Sequence, residues 1–381
     1  MPEKDRVRYE SPLVKMAIQR KLITKGQHEL CRKLLKKSKK IGLESTIEEL
    51  FVKQGFLKQE QLEELKEMIS LGAKGDLFGE YRLQKLIGKG GMGKVYEATH
   101  EFTGRNVAIK ILNSLPSSDD TIVARFFQEI RALAKLVHPG IVLLYDAGKA
   151  GRRYYFTMEL VNGVSLAQYV ESKKMLSERE ALSITKIIAS ALSFAHALGI
   201  IHRDIKPENI LIDTSSNPKL TDFGLVMHQD ADHMTLTKEG FMVGSVFFAS
   251  PEQAQGERDI DGRSDCYSLG ATLYYMLTGR MVFGGESSQE VLTKQLMTTP
   301  ISPRKYNPSI SGRTIRILNK MMAKKRNKRY QSMNDLVKVL SSGANLPVFI
   351  RVILMTFFVL FLLLSGVLIE RIFHLSLFWI K

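Results

Sequence analysis

The sequence predicts an α+β chain in which an antiparallel, strand-rich segment precedes a helical one. A helical region lies on the N-terminal side, and one C-terminal transmembrane helix follows. Three observations carry this. Between 81 and 112 apolar residues alternate with period two, the mark of half-buried strands. From 177 onward they recur at helical spacing. Val352 to Ile369 is 18 residues without a charge, roughly 27 Å as a helix and close to a bilayer's hydrocarbon thickness.

Residues 1–80 read as a small helical region. Thr24-x-x-Gln27 and Ser45-x-x-Glu48 have the form of capping boxes, where two side chains satisfy each other's free backbone N–H groups. Leu30, Leu34 and Leu35 share one helical face, as do Leu62, Leu65 and Met68. Leu22-Ile23-Thr24-x-x-Gln27 returns as Phe56-Leu57-Lys58-x-x-Gln61 at an offset of 34 residues. Two copies are too few for a solenoid, and two helix starts written alike would look the same. The region is either an interaction or regulatory unit or a solvated extension.

Residues 81–342 follow as the main domain. Its strands are Tyr81–Ile87, Val95–Thr99 and Val107–Leu112, and Ser177 caps a helix that continues to Ala197. Residues 343–351 form a juxtamembrane linker, 352–369 the span, and 370–381 a short tail. Lys320, Lys324, Lys325, Arg326, Lys328 and Arg329 lie just before the span, so the positive-inside rule places the main domain in the cytoplasm of a single-pass plasma or inner-membrane protein.

The chain has 381 residues, 44% hydrophobic, which excludes global disorder. Its two cysteines, Cys31 and Cys266, provide neither a disulfide framework nor zinc-ligand spacing. The +16 net charge asks for an anionic partner. Nucleic acid is not expected, because no aromatic platform accompanies the basic cluster. The expectation is instead that Lys320–Lys328 meets anionic lipid.

Chemistry concentrates in a few tracts. Gly88-x-Gly90-x-x-Gly93 sits between two strand-like runs, where glycines let backbone N–H groups approach phosphates. The same pattern marks dinucleotide sites, but those open a helix and Lys94-Val95-Tyr96 reads as strand. Lys110, in Val107-Ala108-Ile109-Lys110, is a cation inside an apolar strand and is costly unless paired. Glu129, on a helix with Ile130 and Leu133, is the acidic partner expected for it. In His202-Arg203-Asp204-Ile205-Lys206-Pro207-Glu208-Asn209 and Asp222-Phe223-Gly224, the side chains of Asp204, Asn209 and Asp222 offer hard oxygen ligands of the kind Mg²⁺ takes.

These tracts resemble the eukaryotic-like serine/threonine protein kinases of bacteria, the PknB-like group, over residues 81–342. The resemblance implies the bilobal protein-kinase fold, with an antiparallel-sheet N-lobe and a helical C-lobe. It implies ATP and Mg²⁺, with Mn²⁺ able to replace it, and protein substrates with Ser/Thr acceptors. Gly88, Lys89, Gly90, Gly91, Met92 and Gly93 would cover the phosphates. Val95 and Ala108 would line the adenine pocket, and Glu159 and Val161 would bind adenine through their backbone beside Met158. Lys110, paired with Glu129, would hold the phosphates. Asp204 would act as base, Lys206 would reach the transferring phosphate, and Asn209 and Asp222 would hold the metal.

Further positions follow from the same resemblance. Asp265 would brace the catalytic loop, Arg329 would pair with Glu252, and Ser245 with Lys206 favours Ser/Thr acceptors. Arg203 would receive a phosphate placed on Thr235 or Thr237 by autophosphorylation. Departures from the family pattern are Ser250 before Pro251 where Ala is usual, Ser245 where Thr is common, and the basic run Lys324–Asn327, where an acidic, proline-containing start is usual. A membrane-tethered pseudokinase scaffold is the alternative function, and a tyrosine or small-molecule kinase a lesser one. The sequence leaves homodimerisation open.

Overall fold

The computed structural model describes residues 11–40, 45–70, 77–90, 93–113, 120–151, 153–223, 245–342 and 356. Four helices come first: α1 (Pro12–Gln19), α2 (Lys25–Lys40), α3 (Ile47–Lys53) and α4 (Gln59–Ser70).

The repeat is structural. Leu22 and Ile23 donate to the Ala17 carbonyl at 3.0 and 3.4 Å, and Phe56 and Leu57 donate to the Phe51 carbonyl at 2.9 and 3.2 Å, each pair offset by 34 residues. Lys21 and Gly55, also 34 apart, both take positive φ, 57° and 71°. Gln27 Oε1 caps the Thr24 amide at 2.8 Å, as Gln61 Oε1 caps Lys58 at 2.9 Å. The unit is therefore two copies of a short helix, a left-handed turn and a longer helix. The second expected capping box moves by one residue. Thr46 and Glu49 form it, because Thr46 is the residue that immediately precedes the helix.

This unit is not a solvated extension. Val14, Met16, Ala17, Phe51, Leu62 and Leu65 share one buried cluster with Phe78, Leu83, Tyr96, Ile109 and Ile111 of the adjoining sheet. Arg20 fixes the contact, donating to the Leu83 carbonyl at 2.6 Å and meeting Glu64 at 3.4 Å. In α2 Cys31 and His28 are buried, while Leu30 is exposed. The expected stripe is thus rotated toward Cys31, with Leu34 and Leu35 at its edge.

The sheet comprises β1 (Leu77–Phe78), β2 (Tyr81–Gly90), β3 (Gly93–His100), β4 (Asn106–Leu112), β5 (Leu144–Ala150) and β6 (Arg153–Glu159), in the order β1-β2-β3-β4-β6-β5, every pair antiparallel. Period-two alternation divides its faces. Tyr96, Ala98, Ile109 and Ile111 lie under α1–α4. On the other face, Phe156 packs with Phe126 and Ile130 of α5 (Asp120–Leu133).

The second lobe is helical. It holds β7 (Gly163–Ser165), α6 (Leu166–Lys173), α7 (Glu178–Ala197), β8 (Ile210–Asp213), β9 (Pro218–Leu220), α8 (Pro251–Ala254), α9 (Gly262–Thr278), α10 (Ser288–Met297), α11 (Gly312–Met321) and α12 (Met333–Ser341). Ser177 caps α7, which runs to Ala197 as expected, and α9 is buried along almost its whole length. The result is the sheet-plus-helical, two-lobed arrangement that the sequence led us to expect. Among the described residues no helix is long and apolar enough to cross a membrane. The expected span, its linker and tail lie outside the described residues apart from residue 356, as do Thr235 and Thr237.

Candidate active site

The site forms where β4 faces the turns around β8 and β9. Lys110, nearly buried on β4, makes an ion pair with Asp222 Oδ1 at 2.5 Å. Lys110 thus meets Asp222 here, where the resemblance implied Glu129. The ammonium projects from the cleft face of the sheet, and Asp222, held at φ +55°, brings a carboxylate within direct reach. Glu129 stays half-buried on α5.

The catalytic loop is built from its backbone outward. Asp265, fully buried at the start of α9, accepts the amides of His202 and Arg203 at 2.9 and 2.8 Å and meets His196 Nε2 at 2.8 Å. Gly262 makes room for that histidine, since a Cβ there would sit 2.5 Å from His196 Nδ1. The bracing expected of Asp265 is observed; His196 gave no signal in the sequence.

His202 packs and orients the loop. Its Nδ1 accepts the Asp204 amide at 3.3 Å, and its Nε2 faces the Thr221 carbonyl at 2.9 Å. An amide only donates and a carbonyl only accepts, so the proton resides on Nε2. The ring stacks at a tilt on Phe223, with centroids 4.6 Å apart. Arg203 and Asp222, both non-glycine residues, hold positive φ of 66° and 55°. Such strain is retained where surrounding contacts over-determine it, typically at functional sites.

Asp204 accepts from Lys206 Nζ at 2.7 Å and from Asn209 Nδ2 at 3.0 Å, and Asn209 Nδ2 also donates to the Asp204 carbonyl at 2.8 Å. With the Asn209 NH₂ engaged on Asp204, its carbonyl oxygen points the other way. Asn209 Oδ1 and the Asp222 carboxylate are hard oxygen donors that fit Mg²⁺.

The rest of the expected pocket is arranged around this. Gly88, Lys89 and Gly90 end β2, and Gly93 and Val95 begin β3, with Gly90 opposite Gly93; Gly91 and Met92 lie outside the described residues. A Cβ on Gly93 would meet the Ile111 carbonyl at 2.3 Å, so the fold itself demands that glycine, whereas Gly90 has open space beside it. Ala108 shares the Lys110 face of β4 and pairs with Met158. Glu159 ends β6, pairs with Lys219 at 2.9 Å and leads to half-buried Val161. A separate cavity of about 280 Å³, lined by Tyr169, Glu180, Ile184, Ile187 and Ser216, touches none of the expected site residues.

Below the site, Arg329 and Glu252 form a buried two-pronged pair at 2.6 and 2.8 Å, as expected. The basic run 320–329 is otherwise turned inward more than its composition implies. Lys324 donates to the Gln295 carbonyl at 2.5 Å, and burial, then the charge of Arg329, pushes its ammonium down to about 8. Arg326 meets Asp259 and Asp261 at 3.5 and 3.6 Å. Lys320, Lys325 and Lys328 remain at least partly exposed.

Comparison with known proteins agrees with this geometry. The protein kinase domain family matches residues 81–339, more than half the chain. Serine/threonine-protein kinase PrkC of Bacillus subtilis is 40% identical over 258 residues, covering 68% of this chain and 39% of PrkC. Serine/threonine-protein kinase PknA of Mycobacterium tuberculosis is 42% identical over 229 residues, covering 59% of this chain and 52% of PknA. The chain therefore spans about two fifths to one half of these relatives' lengths. The crystal structure of the Mycobacterium tuberculosis PknI kinase domain superposes with a TM-score of 0.55 at 25% identity, covering 71% of this chain and 98% of that one.

Proposed function

Because the chain belongs to the protein kinase family, we propose that it transfers the γ-phosphoryl group of ATP to Ser/Thr hydroxyls of proteins. The observation that carries this is a pair of contact sets, Lys110 on Asp222 at 2.5 Å and Asp204 with Lys206 and Asn209 at 2.7 and 3.0 Å, linked by the Thr221 amide on the Asn209 carbonyl at 2.9 Å. The relatives' names support the Ser/Thr assignment.

Phosphoryl transfer demands placement and charge neutralisation more than covalent work. Asp204 orients the acceptor hydroxyl and takes its proton. Lys206, already beside Asp204, lies where it can offset charge on the transferring group. Lys110 has three donors and spends one on Asp222, which leaves donors for the α- and β-phosphates. The Gly88–Gly93 turn covers the phosphates, and Val95, Ala108, Glu159 and Val161 border the adenine. Mg²⁺, or Mn²⁺ in its place, bound by Asn209 and Asp222, would neutralise the phosphate oxygens. The resemblance also implies Glu129 as a carboxylate for Lys110, which has donors to spare beside its contact with Asp222.

The uncharged run 352–369 supports a single membrane anchor with the kinase domain in the cytoplasm. Anionic-lipid contact from the 320–328 cluster then falls to Lys320, Lys325 and Lys328, whose side chains reach solvent. Autophosphorylation at Thr235 or Thr237 supplies the anion for Arg203. The test is phosphate transfer from labelled ATP with Mg²⁺, wild type beside Asp204→Asn. Wild-type incorporation on Ser and Thr, lost in the variant, is expected. Equal signals would sink the enzyme reading in favour of a scaffold, and phosphotyrosine would revise the acceptor.

A further inference from the structure

Gln295 lies on α10 with no exposed surface, an expensive place for a carboxamide unless every polar atom is matched. It is matched. Nε2 donates to the carbonyls of Phe247 at 2.9 Å and Val246 at 3.4 Å. Carbonyls only accept, so the NH₂ must face them, which turns Oε1 toward Tyr267. The Tyr267 hydroxyl donates to it at 2.6 Å. Lys324 completes the arrangement, its Nζ on the Gln295 backbone carbonyl at 2.5 Å and 3.4 Å from the Tyr267 hydroxyl.

The loop so held leads into α8 and begins directly after 224–244, which lie outside the described residues. Its far end is tied to the catalytic loop, because Gln253 Nε2 donates to the Arg203 carbonyl at 2.7 Å. Tyr267 stands two residues after Asp265 on α9. One buried helix therefore grips two loops, the catalytic loop through Asp265 and residues 246–247 through Tyr267 and Gln295.

We infer that Gln295, oriented by Tyr267, is a positioning residue that fixes the 245–250 loop relative to Asp204 and so sets how the acceptor protein is presented. The inference rests on the kinase reading above. Gln295 touches none of the nucleotide or metal residues, so its effect should appear in the acceptor KM, and in kcat through the Gln253–Arg203 link, but not in the ATP KM. In the sequence Gln295 is one polar residue among many in Ser288–Met297, with no pattern to mark it.

The experiment is steady-state kinetics of wild type, Gln295→Leu, Tyr267→Phe and the double variant. The acceptor is whichever of casein, histone and myelin basic protein the wild type phosphorylates fastest. Loss of one or two buried hydrogen bonds predicts a rise of about 5- to 30-fold in the acceptor KM. The ATP KM should stay within about twofold, since a uniform fall in activity is what a purely structural role would give. The double variant should be no worse than Gln295→Leu, because both substitutions break the same contact. An unchanged acceptor KM in both single variants, or acceptor and ATP KM rising together, would overturn the inference while the kinase reading stood. Absence of wild-type transfer to any of the three acceptors would instead overturn the kinase reading.

Discussion

Two ion pairs in this molecule look alike on paper and behave as opposites. Arg329–Glu252 in the helical lobe is sealed: its side chains are 0% and 5% exposed, and Arg329 also donates to the carbonyls of Ala323, Arg263 and Lys324. Lys110–Asp222 in the cleft is a single contact, with side chains 11% and 36% exposed. The sealed pair uses its donors on fixed protein acceptors and has no capacity for a ligand. The cleft pair keeps spare donors and lone pairs facing solvent. Saturation marks scaffold, and unsatisfied capacity at an accessible strained position marks the site.

Breaking the sealed pair should have the largest effect. Arg329→Leu leaves Glu252 buried without its partner and should cost about 3–5 kcal/mol of stability by denaturant unfolding. A loss under about 1 kcal/mol would mean that the pair is not desolvated as described. Met16→Ala comes next, at about 2–4 kcal/mol, because Met16 is fully buried in the cluster shared by α1 and the sheet. If the helices were a dispensable extension, nucleotide binding and the melting of the kinase domain would not change. Lys110→Met should cost less than about 1 kcal/mol, the range of a partly exposed pair, while phosphate transfer disappears. A large stability loss would make Lys110 structural and collapse the contrast.

The smallest effect is one of pH. Folded Lys324 gives up its proton near 8, whereas the unfolded side chain keeps it to its ordinary value of 10.5. Between these values the unfolded state binds more protons, so stability from this group rises with pH. Wild type should therefore gain on Lys324→Met between pH 8 and about 10 in chemical unfolding at a series of pH values. Parallel curves would show that burial does not perturb the ammonium.

Much of the site was legible because its chemistry is local. Asp204, Lys206 and Asn209 are fixed within one turn of chain, and the strands around Lys110 show period-two alternation. The partner of Lys110 was not legible, since the choice between Glu129 and Asp222 depends on how α5 and the cleft pack. The packing of α1–α4 on the sheet was hidden for the same reason. Their repeat is written mainly in backbone hydrogen bonds and in positive φ at Lys21 and Gly55, which side-chain identity reports only faintly. Within the basic run 320–329 the pairing of Arg329 with Glu252 was expected, but the commitments of its neighbours were not legible, because composition counts charges, whereas Lys324 donates to the Gln295 carbonyl and Arg326 meets Asp259 and Asp261.

The most direct measurement is transfer of labelled phosphate from ATP by wild type and Asp222→Asn, with thermal unfolding recorded on the same samples. Robust Ser/Thr phosphorylation by wild type is expected, together with a loss of at least about 100-fold in the variant and a melting temperature within a few degrees of wild type. Undiminished transfer by Asp222→Asn would contradict the assignment of this cleft as the site of phosphoryl transfer.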